Sequence, residues 1–206
     1  MFNQRERDDD YIIKTSEELF FKSGINNVTI EDIAKKSGYG AATIYRHFKN
    51  KTNILIKCAI DVWTTLFNKY YAPSSEFVRG IDGVRFFFSI FDSILDNNRD
   101  AARFITEFDS YLMTNKVNPR ELKDYDDVLL KVKGFFDKEY ARGLVDETIR
   151  KDLDRDVYYF AVNRALFMLV EKLTSGPIVK SDKLIDEKPQ VDLIIDMAIN
   201  YIKNVK

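Results

Sequence analysis

The stretch GYGAATIYRHFKNK, residues 38–51, gathers the side chains of this sequence that could do chemistry. Gly38 and Gly40 flank one residue. Ala41, Ala42 and Thr43 follow, and then Tyr45, Arg46, His47, Lys49 and Lys51. Two chemistries suit glycines set beside hydroxyls and cations. One is a loop whose backbone N–H groups cradle a nucleotide phosphate. The other is a tight turn that aims a helix at the phosphates and base edges of DNA.

The rest of the chain offers little for catalysis. There is one histidine, His47, and one cysteine, Cys58. A lone cysteine excludes an internal disulfide and a thiolate zinc site. Cys58 falls among Leu55, Ala59 and Val62 and reads as a small buried hydrophobe. No metal-spaced cluster, Cys/His pair or nucleophile arrangement stands out, so no enzyme activity, catalytic residue, cofactor or metal is expected. Neither a secretory apolar segment nor a run long enough to span a membrane is visible. A soluble cytoplasmic protein with no membrane partner is expected.

Charge points the same way as the motif. The chain carries 32 Lys and Arg against 33 Asp and Glu, so as a whole it is not an obvious binder of polyanions. Between Ile33 and Ile60, however, stand Lys35, Lys36, Arg46, Lys49, Lys51 and Lys57 with no acidic residue. A basic stretch on an otherwise slightly acidic body suits one phosphate-facing surface.

The elements that must position these side chains are helices. Only 8 Gly and 4 Pro interrupt 206 residues, and 45% of them are hydrophobic, in long periodic segments. A first helix is expected from Asp8 to Lys22, with Gly24 past its end as a C-cap. A second follows in VTIEDIAKKSG. Thr29 is its N-cap, Asp32 the capping-box partner, and Val28 and Ile33 form the staple around that cap. A third covers Ala41 to Phe48, with Ala41, Ile44 and Phe48 inward and Ala42, Thr43, Tyr45, Arg46 and His47 nearer solvent. Asn50 caps a fourth that runs to Pro73. Further helices are expected near 76–97, 100–115, 119–142, 154–175 and 189–204. The fold class is therefore all-α: an N-terminal helix-turn-helix domain over 1–50, joined by the fourth helix to a helical effector-binding and dimerisation domain over 51–206.

This context decides between the two chemistries. A phosphate-cradling loop follows a strand and opens a helix. Here a capped helix precedes Gly38, the third glycine is missing, and no Gly-Lys-Ser/Thr occurs. Helix, glycine-containing turn and second helix make a helix-turn-helix unit, whose second helix enters the major groove. Tyr45 and Thr43 offer hydroxyls to phosphates, and Arg46 can reach a guanine edge or a phosphate. Small Ala42 admits close approach. Lys51 lies in the first turn of the fourth helix, where the helix dipole favours an anion.

The segment IIKTSEELFFKSGINNVTIEDIAKKSGYGAATIYRHFKNKTNIL resembles the N-terminal DNA-binding domain of TetR-family transcriptional regulators over roughly residues 7–56. Leu19-Phe20 with Gly24, Thr29 before Ile33-Ala34, Gly38, Thr43-Ile44-Tyr45, His47-Phe48 and Lys51 carry the likeness. Gly40 stands where the family usually has a serine N-cap, and Ala42 where it often has glycine, so base preference does not transfer. The residues expected at a DNA interface are Thr29, Ala41, Ala42, Thr43, Tyr45, Arg46, His47 and Lys51. The resemblance implies a homodimer, a helical C-terminal core, a small-molecule effector and no catalysis. The expected function is that of a repressor released from a palindromic DNA operator by its effector. The alternative is a helical ligand-binding or scaffolding protein that no longer reads DNA.

Beyond residue 56 only pattern speaks. The segments 154–175 and 189–204 are apolar almost all the way round. Such helices are buried on every side, which suits one face on the core and another on a second copy of the chain. An effector site is expected among Trp63, Phe67, Phe104, Glu107, Phe108, Tyr111, Asn163 and Phe167, taking a lipophilic or cationic small molecule. Glu107 is placed among aromatics, where an unpaired carboxylate is costly. Its partner would be Arg103, Arg164 or the ligand.

Overall fold

The computed structural model describes residues 4–70 and 77–204. The described residues form ten α-helices and no strand: α1 (Gln4–Ser23), α2 (Ile30–Ser37), α3 (Ala41–His47), α4 (Lys51–Tyr70), α5 (Gly80–Phe88), α6 (Ile90–Asn97), α7 (Arg99–Asn115), α8 (Lys123–Val145), α9 (Arg155–Thr174) and α10 (Glu187–Ile202). A single antiparallel bridge, Ile149 with Lys203, is the only extended pairing among them. No helix of the described residues is long and apolar enough to cross a membrane. The chain is all-α, with an N-terminal helix-turn-helix and a helical C-terminal part.

The expected end of the fourth helix at Pro73 lies outside the described residues. The expected single helix over 76–97 is two, broken at Ser89. That hydroxyl donates to the Phe86 carbonyl at 2.7 Å. Serine bonding back onto a carbonyl competes with the helical ladder and bends it.

The chain divides into two compact units. One comprises residues 1–65 and 103–128, the other 66–102 and 129–206. Helices α4, α7 and α8 each divide their residues between the two.

In the first unit α1 to α3 pack around Ile12, Phe20, Ile25, Val28, Ile33, Ile44 and Phe48, all buried. Gly24 ends α1 at φ +80°, donating to the Phe20 carbonyl at 2.8 Å. That left-handed conformation strains any residue with a Cβ, so glycine is required there. The 103–115 part of α7 completes this core. Phe104 stacks on Phe20 with centroids 5.9 Å apart, meets Phe21 edge-on, and stacks on Phe108 at 6.2 Å. Burial of each such ring stabilises by about 1.5–3 kcal/mol.

In the second unit α5, α6, α9, α10 and the rest of α8 enclose a cluster of rings, among them Phe87, Phe88, Phe136, Tyr140, Tyr158 and Tyr159. Here α5 lies directly on α8. A Cβ built on Gly80 would sit 2.0 Å from the Gly143 nitrogen, so the backbones meet only because Gly80 lacks a side chain, while a Cβ on Gly143 would instead meet the Ile149 side chain. Beside them Glu139 is fully buried, paired with Arg142 at 2.6 Å. Burial nevertheless pushes its carboxyl above the usual range.

Candidate nucleic-acid interface

The interface is built on α2, the turn and α3. The capping box at the start of α2 is present: Thr29 Oγ1 accepts from the Asp32 N–H, and Asp32 Oδ2 accepts from the Thr29 N–H at 2.8 Å. These hydrogen bonds from Thr29 hold the Asp32 carboxyl below its ordinary value. The hydroxyl of Thr29 is therefore occupied in the cap, where it donates to Asp32 at 2.6 Å. Gly38 closes α2 at φ 75°, ψ 7°. A Cβ there would meet nothing within 4 Å, so the backbone conformation and not space demands glycine.

Helix α3 has seven residues, with Gly40 as an N-cap that supplies no side-chain hydrogen bond. Its Ile44 is fully buried and fixes the inner face. The opposite face carries Ala42, Tyr45 and Arg46, all exposed, with Tyr45 half in solvent at 50%. Ala41 and Thr43 flank that face, half-buried. Exposed Lys35, Lys36 and Lys49 add positive charge before and after the helix. A small residue, a phenol and a guanidinium on one outward face can approach a groove, bond phosphates and read a guanine edge.

Two residues expected at the DNA interface are engaged elsewhere. His47 is not among the open side chains: its side chain is only 5% exposed, and Nδ1 lies 2.5 Å from Asp9 Oδ1. A carboxylate only accepts, so Nδ1 carries the proton. Lys51 donates from Nζ to the Ile25 carbonyl, and its partial burial lowers its pKa. Sequence reading missed three contributors to this architecture, Asp8, Asp9 and Tyr39, and gave a fourth, Glu107, a different role. Asp8 accepts from the Tyr39 hydroxyl at 2.9 Å. The signal present in the sequence was the run Asp8-Asp9-Asp10, poor helix formers placed in a helix beside a basic domain.

The side chains expected around an effector fall in both units. In the first, Phe104 and Phe108 are buried in the core just described. Trp63 Nε1 donates to the Tyr125 hydroxyl at 3.1 Å, and Tyr111 and Thr52 share a hydroxyl–hydroxyl bond at 2.9 Å. Glu107 does not sit among the rings. It is on the exposed side of α7, and its carboxylate accepts the Ile25 N–H at 2.6 Å. The buried positions Ala101, Ala102, Ile105 and Phe108 define the inner face of α7, and 107 lies about 100° round the helix from 108, outside it. Its partner is a backbone amide where an arginine or a ligand was expected. In the second unit Phe67, Asn163 and Phe167 are half-buried, and Arg164 lies over the Phe160 ring at 5.1 Å.

Comparison with known proteins agrees with this geometry. Residues 12–58 match the family described as bacterial regulatory proteins, tetR family. An HTH-type transcriptional regulator of Staphylococcus aureus (strain USA300) is 34% identical over 61 residues, which covers 28% of this chain and 33% of that protein. The match thus spans about a third of the length of the curated relative. Among solved structures, a protein from Saccharomonospora viridis in complex with choline superposes at TM-score 0.73 with 18% identity, covering 96% of this chain and 98% of that one. The regulator FadR from Bacillus subtilis in complex with stearoyl-CoA gives 0.67 and 18%, covering 94% and 98%. The ketosteroid regulator KstR2 of Mycobacterium tuberculosis gives 0.65 and 15%, covering 100% and 98%. At these identities the superpositions establish a shared fold along the chain, and the sequence match establishes the head. With its capped α2, its left-handed Gly38 turn and the outward face of α3 all inside the matched segment, residues 12–58 match the family described as bacterial regulatory proteins, tetR family, and the rest of the chain shares the fold of its solved members.

Proposed function

We propose that this chain is a homodimeric transcriptional regulator that binds operator DNA and is released from it by a small molecule. The observation that carries the DNA part is the α3 face. Ala42, Tyr45 and Arg46 point outward from a helix anchored by Ile44, beside Lys35, Lys36 and Lys49 and with no acidic residue between Ile33 and Ile60. Among the described residues that face is left exposed, and its chemistry is that of groove contact.

Assembly is supported by α9 and α10. Tyr158, Leu166 and Val170 of α9, and Val191, Ile195 and Ala198 of α10, turn inward. On the same helices Val157, Phe160, Met168, Leu193, Met197 and Tyr201 are exposed. Large apolar side chains recurring on the outer face of two helices that pack on each other suit a twofold contact with a second copy. Two α3 helices would then enter successive major grooves about 34–36 Å apart on a palindromic site. Relatives of the same fold bound to choline and to stearoyl-CoA support a small-molecule effector, for which Phe67, Asn163 and Phe167 of the second unit are the candidate contacts. A cytoplasmic location follows from this role.

The test is a gel shift on the DNA upstream of the chain's own gene across a salt series, after a heparin column. Binding that weakens linearly in log salt is expected. A chain that neither retains on heparin nor shifts any fragment at low salt is not a DNA-binding regulator.

A further inference from the structure

Two acidic side chains from α1 reach α3 and the turn before it, in a domain whose proposed partner is a polyanion. Asp8 accepts the Tyr39 hydroxyl at 2.9 Å, and Asp9 takes Nδ1 of His47 at 2.5 Å. Tyr39 stands in the turn two residues before α3, and His47 is the last residue of α3. The two bonds therefore hold the helix at its two ends. Few other forces fix its angle. The helix is seven residues long, its N-cap glycine supplies no side-chain bond, and Ile44 is its one fully buried side chain. A helix that short has no stability of its own. The ring of Tyr11 supports the first clasp, with its centroid 6.3 Å from that of Tyr39.

Resting on the DNA-binding role proposed above, we propose that Asp8 and Asp9 are positioning residues for sequence recognition, clasping α3 at the angle that presents Tyr45 and Arg46 to a groove. As negative charges they oppose phosphate attraction; as clasps they make base contact geometrically possible. The two roles have opposite signs on two kinds of DNA. Attraction to phosphates is shared by every duplex. Base readout belongs to the cognate one and depends on where the helix points.

A cognate duplex is first selected from a randomised pool with the wild-type chain. Its affinity and that of a scrambled duplex are then measured at one salt concentration for wild type, Asp9→Ala, Asp9→Asn and Tyr39→Phe. Asp9→Ala is expected to bind the cognate duplex roughly tenfold more weakly and the scrambled duplex slightly more tightly. Asp9→Asn keeps an acceptor for the Nδ1 proton and is expected to recover cognate binding. Tyr39→Phe, which removes a hydroxyl and no charge, is expected to lower discrimination as well. Equal strengthening on both duplexes by Asp9→Ala overturns the proposal, because the acid would then be only a like charge. Should Asp9→Ala fail to fold, Tyr39→Phe decides, and unchanged discrimination by that variant overturns the clasp. If the wild-type chain selects no duplex at all, the DNA-binding role falls, and the proposal with it.

Discussion

Glu107 and Lys51 grip opposite sides of one residue. The Glu107 carboxylate of α7 accepts the Ile25 N–H at 2.6 Å, while the Lys51 ammonium of α4 donates to the Ile25 carbonyl. Ile25 itself is buried and opens the short 3-10 turn, Ile25–Asn27, that leads from α1 into α2. A carboxylate and an ammonium far apart in sequence thus fix the entry to the helix-turn-helix. The adjoining Gly24 leaves little room, since a Cβ there would lie 3.2 Å from Glu107 Oε2.

Removing Lys51 should act on this turn before it acts on DNA. Lys51→Ala is expected to lower the melting temperature by a few degrees, as loss of a charged hydrogen bond worth about 1–2 kcal/mol would. Its effect on the slope of log affinity against log salt should be smaller than that of Arg46→Ala, which is expected to reduce the slope by about one. Thermal melts and a salt series on the same preparations separate the two residues. A stable Lys51→Ala chain with a full unit of slope lost would place the ammonium on a phosphate instead.

Glu17 should make stability depend on pH. It is buried on α1 with Oε1 lacking a partner, and Lys14 reaches both Glu17 and Asp61 of α4. Burial first, and then the neighbouring Asp61 carboxyl, push Glu17 from 4.5 to about 8. Burial disfavours the charged carboxylate, so the folded chain keeps a proton on Glu17 that the unfolded chain releases. The unfolded state binds fewer protons between roughly pH 4.5 and pH 8, so stability falls across that window and levels above it. Glu17→Gln should flatten this slope and melt higher than wild type above pH 8. Parallel pH profiles for the two chains would count against a proton retained on Glu17.

The outward faces of α9 and α10 should separate assembly from folding. Met197 is 59% exposed, and Ile195 on the same helix is 3% exposed. Met197→Glu is expected to leave a folded, helical chain that sediments as a monomer and binds operator weakly. Ile195→Glu should unfold the second unit, because an unpaired charge would be buried. Sedimentation and circular dichroism distinguish them. A wild-type monomer at micromolar concentration would remove the dimer.

The α5–α8 approach should tolerate no side chain. Gly80→Ala places a methyl 2.0 Å from backbone, and Gly83→Ala one 2.3 Å from the carboxylate of buried Glu139. Overpacking of this kind typically costs about 1–3 kcal/mol, and Gly80→Ala should be the worse because backbone cannot rotate away. Denaturant midpoints for the two variants give the order.

Much of this was legible in residue order because the signals were local. The capping box of Thr29 and Asp32, the left-handed glycines at 24 and 38 and the buried stripe through Ile33 and Ile44 all follow from spacings of three or four residues, which helix geometry fixes. So do the exposed positions of Ala42, Tyr45 and Arg46. Side-chain partners distant in sequence were not legible. His47 reads as solvent-facing until folding brings Asp9 to it across 38 residues, and Lys51 reads as a free cation until Ile25 offers a carbonyl. Glu107 reads as a charge among rings until its position on α7 turns it toward a backbone amide 82 residues away. That residues 103–128 share a compact unit with the N-terminal helices was equally hidden. Periodicity names the face a residue occupies, but only the packed chain decides which group that face meets.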